Sequence, residues 1–366
     1  MTDMRDIDAM LRIVAEWQGS DLHLKAGSPP LIRVDGVLHR IEQEPPLDGR
    51  DTEEVALGIM PPDRRDDFQN RNEADFAYGV AGVGRFRVNV FRQRGSVSLV
   101  LRMVRVGSPT FDDLGLPAVV QTLAEEPRGL VLVTGPTGTG KTTTIGSMVD
   151  HINQTRACHI VTIEDPIEVV HPDRKASINQ REVGVDTDSF IGAMRAVMRQ
   201  DPDVIFIGEM RDAETVQAAL AAAETGHLVL STLHTINAAE TVNRIVDFFP
   251  PYQQQQVRVT LAGALRGIIC QRLVPKIGGG RVPALEVMVN NGRTAERILD
   301  PLRTSEIEEV VRESGFYGMQ TFDQSLHTLV TRGMVSVEDA MDAASNRHDF
   351  ELMLQQSGVP ISVSAQ

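Results

Sequence analysis

Gly135-Pro-Thr-Gly-Thr-Gly-Lys-Thr142 stands between Leu130-Val-Leu-Val-Thr134, an apolar run of strand character, and a helical stretch from Thr143 to Ile152. That strand–loop–helix setting separates a phosphate-binding loop from a chance cluster of glycines. Gly135, Gly138 and Gly140 let the backbone bend so that its N–H groups face inward, making an anion nest at a helix N-terminus. The expected binding segment is Gly135, Pro136, Thr137, Gly138, Thr139, Gly140, Lys141, Thr142 and Thr143. Lys141 is expected on the β- and γ-phosphates, and the Thr142 hydroxyl on Mg²⁺. A nucleoside triphosphate is the ligand this chemistry takes.

Around the loop, strands and helices alternate: His159 to Ile163, a helix from Ser189 to Arg199, Val204 to Ile207, an alanine-rich helix from Ala213 to Glu224, and Leu228 to Leu230. That order predicts an α/β core with a largely parallel sheet and ligands at its strand ends. Upstream, Ile7, Met10, Leu11 and Val14 recur at helical spacing, and Leu31 to Leu38 reads as a hairpin turning at Asp35-Gly36. Alternation from Gly84 to Phe91 and from Val97 to Val104 adds strands joined near Arg94-Gly95, so the first section is α+β. The boundaries expected are a first domain over 1–106, a turn-rich linker over 107–117, an α/β core carrying the phosphate loop over 118–290, and a C-terminal helical region over 291–366.

Composition narrows the function. The 366 residues are 42% hydrophobic but only 4% aromatic, and the formal net charge is −14. Nucleic acid is not an expected partner, since neutralising phosphates takes clustered Lys and Arg. Cys158 and Cys270 stand far apart, without the spacing of a zinc site or a disulfide framework, which points to a reducing cytoplasm. The N-terminus, Met1-Thr-Asp-Met-Arg-Asp6, is polar and unlike a signal peptide, and no apolar run is long enough to span a bilayer.

Chemistry needs more than a cradle. Val204-Ile-Phe-Ile-Gly-Glu209 is an apolar strand ending in a carboxylate, placed to ligate Mg²⁺ and polarise water in line with the γ-phosphate. Ile163-Glu-Asp-Pro-Ile-Glu168 brings Glu164, Asp165 and Glu168 to another strand end, where three anions call for a cation or an arginine. His227 and His234 bracket the next strand and are candidate sensors of the γ-phosphate. Arg87 and Arg102 lie on neighbouring expected strands, and Arg195 and Arg199 share a helix face at i, i+4. A surface arginine is more often a solvated charge than a catalytic one.

Together these segments resemble the secretion-ATPase superfamily of hexameric RecA-like motors, and within it the members that drive type IV pilus twitching motility. The resemblance rests on Ser20 to Pro30, Arg33-Val-Asp-Gly36, Gly82 to Gly95, the phosphate loop, Thr162 to Glu168, Asp201 to Asp212, Gly226 to His234, and Gly318 to Gln324. It implies an N-terminal PAS-like α+β domain, a RecA-like P-loop ATPase domain with C-terminal helices, and a homohexamer that binds ATP between its domains. It implies a catalytic role for Glu209, Asp-box roles for Glu164 and Glu168, His-box roles for His227 and His234, and triphosphate contacts from Arg87, Arg102 and Arg195. The partners implied are an inner-membrane pilus platform protein and related pilus ATPases, with the protein cytoplasmic and peripheral at the inner face of the membrane. Two departures bear on the branch. The tetracysteine zinc motif of assembly and type II secretion ATPases is missing. The retraction-linked motif Ala-Ile-Arg-Asn-Leu-Ile-Arg-Glu has as its counterpart Ala295-Glu-Arg-Ile-Leu-Asp-Pro-Leu302. A pilus-assembly or secretion ATPase, a nucleic-acid translocase, a non-hydrolysing regulatory subunit and a small-molecule kinase are the alternatives.

Overall fold

The computed structural model describes residues 6–41 and 44–359, so the polar N-terminal stretch Met1 to Arg5 lies outside the described residues. The chain forms two compact units. One runs up to Val106 and takes in Glu168–Val170; the other comprises Gly107–Ile167 and the chain from His171 onward.

In the first unit, strands β1 (Asp21–Lys25), β2 (Leu31–Val34), β3 (Val37–Arg40), β4 (Glu73–Val80), β5 (Gly84–Gln93) and β6 (Ser96–Met103) form an antiparallel sheet ordered β3-β2-β1-β6-β5-β4. The β2–β3 turn uses Asp35 and Gly36, both at positive φ (47° and 83°), as a two-residue hairpin demands. Helix α1 (Ile7–Glu16) buries the four apolar residues its spacing marked. Helices α2 (Gly49–Ile59) and α3 (Pro62–Arg71), which periodicity did not reveal, pack on β6 and β4. A two-stranded ribbon of β7 (Arg105–Val106) with β10 (Val169–Val170) completes the unit.

The second unit is a doubly wound layer structure. Strands β8 (Gly129–Thr134), β9 (His159–Glu164), β11 (Ser177–Glu182), β12 (Val204–Ile207), β13 (Leu228–Leu233), β14 (Leu265–Pro275) and β15 (Arg281–Val289) run in the order β11-β9-β12-β13-β8-β14-β15. All neighbouring pairs are parallel except β14–β15. Successive side chains of a strand point to opposite faces. Leu130, Leu132, Ile205 and Ile207 accordingly join one core, and Val131, Val133, Val204 and Phe206 the other. Helices α5 (Ala118–Ala124) and α6 (Lys141–Thr155) cover the second face. The first is covered by α7 (Phe190–Val197), α8 (Ala213–Glu224), α9 (Ala238–Asp247) and α10 (Pro251–Ala264). The same core takes in Ile298 of α11 (Gly292–Leu299), Ile307 of α12 (Ile307–Glu313), Phe322 of α13 (Phe322–Thr331), Ala340 of α14 (Val337–Ala343) and Phe350 of α15 (Arg347–Gln356). The turn-rich segment before α5 contains helix α4 (Phe111–Leu114), because Thr110 and Asp113 close a capping box and Gly115 ends it in the left-handed region.

Candidate functional site

Between β8 and α6 the chain makes a tight loop whose glycines sit at φ values of 144° (Gly135), 82° (Gly138) and 87° (Gly140). L side chains rarely adopt this region. A Cβ at Gly135 would also collide with the Gln271 carbonyl oxygen, and one at Gly140 would lie 2.8 Å from Gln271 Nε2. Gly140 has no side chain to cap α6, leaving the helix's opening N–H groups to an external acceptor. Lys141 is buried, and its ammonium donates to the carbonyls of Gly135 (2.7 Å) and Pro136 (3.0 Å), curling the loop around a positive charge. Thr142 and Thr143 are half-buried in the first turn of α6. The positive helix end, the uncapped N–H groups of α6 and the ammonium together fit a phosphate chain.

Parallel register brings four strand ends alongside this loop. Thr134 pairs with Leu233, and Ile207 pairs with both Ser231 and Ile163. Past β12, the Gly208 N–H donates to the Ile163 carbonyl (2.8 Å), and the Thr232 hydroxyl donates to the Gly208 carbonyl (2.6 Å). These bonds hold Glu209 beside the end of β13. Its Oε1 lies 3.2 Å from His234 Nε2 and its Oε2 accepts from Arg211 at 2.9 Å, with the carboxylate side chain 20% exposed. An oriented, half-desolvated carboxylate can polarise a water molecule. Among the described residues no group of three or more His, Cys, Asp or Glu side chains gathers into a metal cage. A threonine hydroxyl and one carboxylate suit Mg²⁺, which binds through one or two protein ligands together with phosphate oxygens and water.

Beside the loop lies a buried polar cluster. Cys270 of β14 pairs with Thr134 on one side and Glu286 of β15 on the other. Burial pushes the Cys270 thiol well up, and the Glu286 carboxylate raises it further. Glu286 is itself pushed up to about 7, chiefly by burial and in the same direction by Glu308; the Ala238 N–H, Arg272 and Cys270 pull the other way. The Ala238 N–H donates to it at 2.7 Å.

Several expected groupings differ in space. The acidic turn does not gather its three carboxylates: Glu164 is buried and accepts from the Thr162 hydroxyl (2.6 Å) and Gln180 (3.0 Å), while Asp165 and Glu168 are exposed. Glu168 belongs to the first unit. The two histidines bracket β13 as expected, which parts them by the strand's length, about 20 Å for six residues. His227 bonds the Ala222 carbonyl (2.9 Å) at the strand's entry, whereas His234 stands at its exit with Glu209. Arg199 lies beyond α7, which ends at Val197, so it shares no helix face with Arg195. Arg195 is 73% exposed, 3.8 Å from Glu214. In the first unit Arg87 and Arg102 are direct cross-strand partners, and Arg102 donates to Asp21 at 2.7 Å. Sequence reasoning missed Arg211 and Gln271. Arg211 stood within a quoted segment without a role; Gln271 lies in Leu265 to Val274, a stretch to which the sequence reading assigned no element.

Residues 4–280 match the family described as Type II/IV secretion system protein. The chain is 45% identical over 345 residues to the type IV pilus retraction ATPase PilT of Pseudomonas aeruginosa, covering 94% of this chain and 100% of that one. It is 43% identical over 318 residues to a twitching motility protein of Neisseria gonorrhoeae, covering 87% and 84%. Among solved structures, the pilus retraction motor PilT with bound ADP superposes with a TM-score of 0.85 at 49% identity, over 95% of this chain and 99% of that one.

Proposed function

The chain belongs to the Type II/IV secretion system protein family, and from that premise we propose that it is an ATP-hydrolysing motor powering retraction of a type IV pilus. One observation carries the reading. A Lys141-centred phosphate loop and the Glu209–His234–Arg211 cluster share one sheet edge, in a chain matched over almost its whole length by a retraction ATPase.

In this reading the loop N–H groups and Lys141 hold the β- and γ-phosphates, and the α6 dipole favours their charge. Thr142 and Glu209 would hold Mg²⁺, which supplies charge neutralisation on the phosphate oxygens when bound. Glu209, fixed by Arg211 and His234, orients the attacking water and accepts its proton. Arg87, Arg102 and Arg195 are the candidate guanidinium donors that meet the developing charge once subunits assemble. Glu164, held by Thr162 and Gln180, keeps the neighbouring strand end in place; Glu168, His227 and the PAS-like first unit serve subunit contacts. The working assembly is a homohexamer acting on an inner-membrane platform protein, alongside related pilus ATPases, at the cytoplasmic face. No helix among the described residues is long and apolar enough to cross a membrane, which fits an indirect association.

The altered segment Ala295 to Leu302 favours a second reading, an assembly or secretion ATPase of the same family. Deleting the protein in its source organism separates the two. Long pili with lost surface motility are the expected result; bald cells would overturn retraction in favour of assembly.

A further inference from the structure

We propose that Gln271 is a positioning residue for the nucleotide, setting the affinity of the phosphate loop from a strand outside every nucleotide-binding motif. The inference rests on the reading that this loop binds ATP. Strand β14 runs parallel to β8 with Cys270 opposite Thr134, so Gln271 emerges level with Gly135, where the loop begins. Only 3% of it is exposed, and both arms of its amide are used. Nε2 donates to the Thr139 carbonyl at 2.6 Å, and Oε1 accepts from the Thr144 hydroxyl at 2.7 Å. One side chain thus ties the middle of the loop to the first turn of α6. A neutral amide offers a donor on one arm and an acceptor on the other, as both contacts require.

The glycines show how closely β14 approaches the loop. Gly135 has no room for a Cβ because of the Gln271 carbonyl, and at Gly140 an added Cβ would lie 2.8 Å from Gln271 Nε2. The first constraint comes from the backbone of β14 and the Thr139 hydroxyl, and the second from the Gln271 side chain itself. Drawing the Thr139 carbonyl toward β14 has a further effect. Across a planar trans peptide the Gly140 N–H points the opposite way, away from β14, and so stays free of this strand to meet a ligand. Gln271 so aims a donor without touching the ligand. ATP and ADP share the β-phosphate, and a loop N–H aimed at it favours both alike, so its contribution is uniform binding rather than rate acceleration.

The test compares wild type, Gln271→Met and Thr144→Val, each with an apo melting curve, titration with fluorescent ADP in Mg²⁺, and steady-state turnover of ATP. Gln271→Met should weaken ADP and raise KM for ATP about tenfold each, with kcat within about threefold. Thr144→Val removes one arm's partner and should shift ADP affinity in the same direction by a smaller factor. The double variant should be no weaker than Gln271→Met alone, since both changes break one connection. Unchanged ADP affinity in Gln271→Met, or a fall in kcat with affinity intact, overturns the proposal. Should Gln271→Met fail to fold, unchanged ADP affinity in Thr144→Val overturns it equally. Wild type that binds no nucleotide sinks this inference together with the functional reading; wild type that binds while the variants match it sinks this inference alone.

Discussion

The two sheets carry their charged residues in different ways. In the parallel sheet of the second unit, consecutive functional segments leave at the same edge, so Gly135, Glu164, Glu209 and His234 converge although 99 positions separate the first from the last. In the antiparallel sheet of the first unit, successive strands leave at opposite edges, and Arg87 and Arg102 meet instead as partners in mid-sheet. A site at a parallel edge is assembled by the fold itself. Exposed arginines on an antiparallel sheet form a site only when something is brought to them.

That contrast breaks most readily at Glu209. Replacing it with Gln keeps the shape and removes the proton acceptor, so phosphate release should fall on the order of 10³-fold or more while fluorescent ATP still binds. Wild-type turnover would strip the parallel edge of its catalytic role. Arg87→Ala tests the other sheet. Turnover should fall on the order of 10³-fold with little change in the melting curve, since Arg87 is exposed. The loss should appear only at protein concentrations where subunits associate, and a loss of equal size in isolated monomers would contradict assembly on this face.

Much of the parallel edge was legible because its residues obey backbone constraints that sequence displays. Gly135, Gly138 and Gly140 mark positive φ, and Val204 to Ile207 followed by Gly208-Glu209 marks a strand end. Proximity along the chain misled where burial decides. Glu164, Asp165 and Glu168 are neighbours in sequence, yet the first is buried and the others are exposed. Helix α10 escaped notice because the glutamine run Gln253 to Gln256 hides its apolar stripe of Val257, Leu261 and Ala264. Gln271 was invisible for a different reason. A polar residue in an apolar strand shows no periodicity, and its partners, Thr139 and Thr144, lie 132 and 127 positions away. Helix α4 was legible in principle from Thr110-x-x-Asp113, but the Pro and Gly around it read as linker.

A smaller effect sharpens the comparison from within the second unit. Glu286 is pushed up to about 7, from 4.5, mainly by burial. A carboxyl whose folded value lies above its unfolded one binds more protons folded than unfolded between the two values. Its stabilising contribution is therefore complete below about pH 4.5 and is lost as pH rises through about 7. Over that window wild type should lose about 3 kcal/mol of unfolding free energy relative to Glu286→Gln, measured by urea denaturation at pH 5 and pH 8. Parallel pH profiles for the two proteins would mean that Glu286 ionises as freely folded as unfolded.

The smallest expected effect concerns Arg195, which belongs to the parallel-sheet unit yet is as exposed as the arginines of the first. Its contact with Glu214 spans 3.8 Å between side chains that are 73% and 69% exposed. Such a pair contributes within about 0.5 kcal/mol, since water screens both charges and holding them together costs side-chain entropy. Glu214→Ala should therefore leave the urea midpoint unchanged and leave Arg195 free to turn elsewhere. Arg195→Ala should be equally silent in stability but lower turnover if this guanidinium serves a phosphate. A stability loss from Arg195→Ala without a turnover loss would assign it to the scaffold, and the charge at the parallel edge would then rest on Lys141 and Arg211.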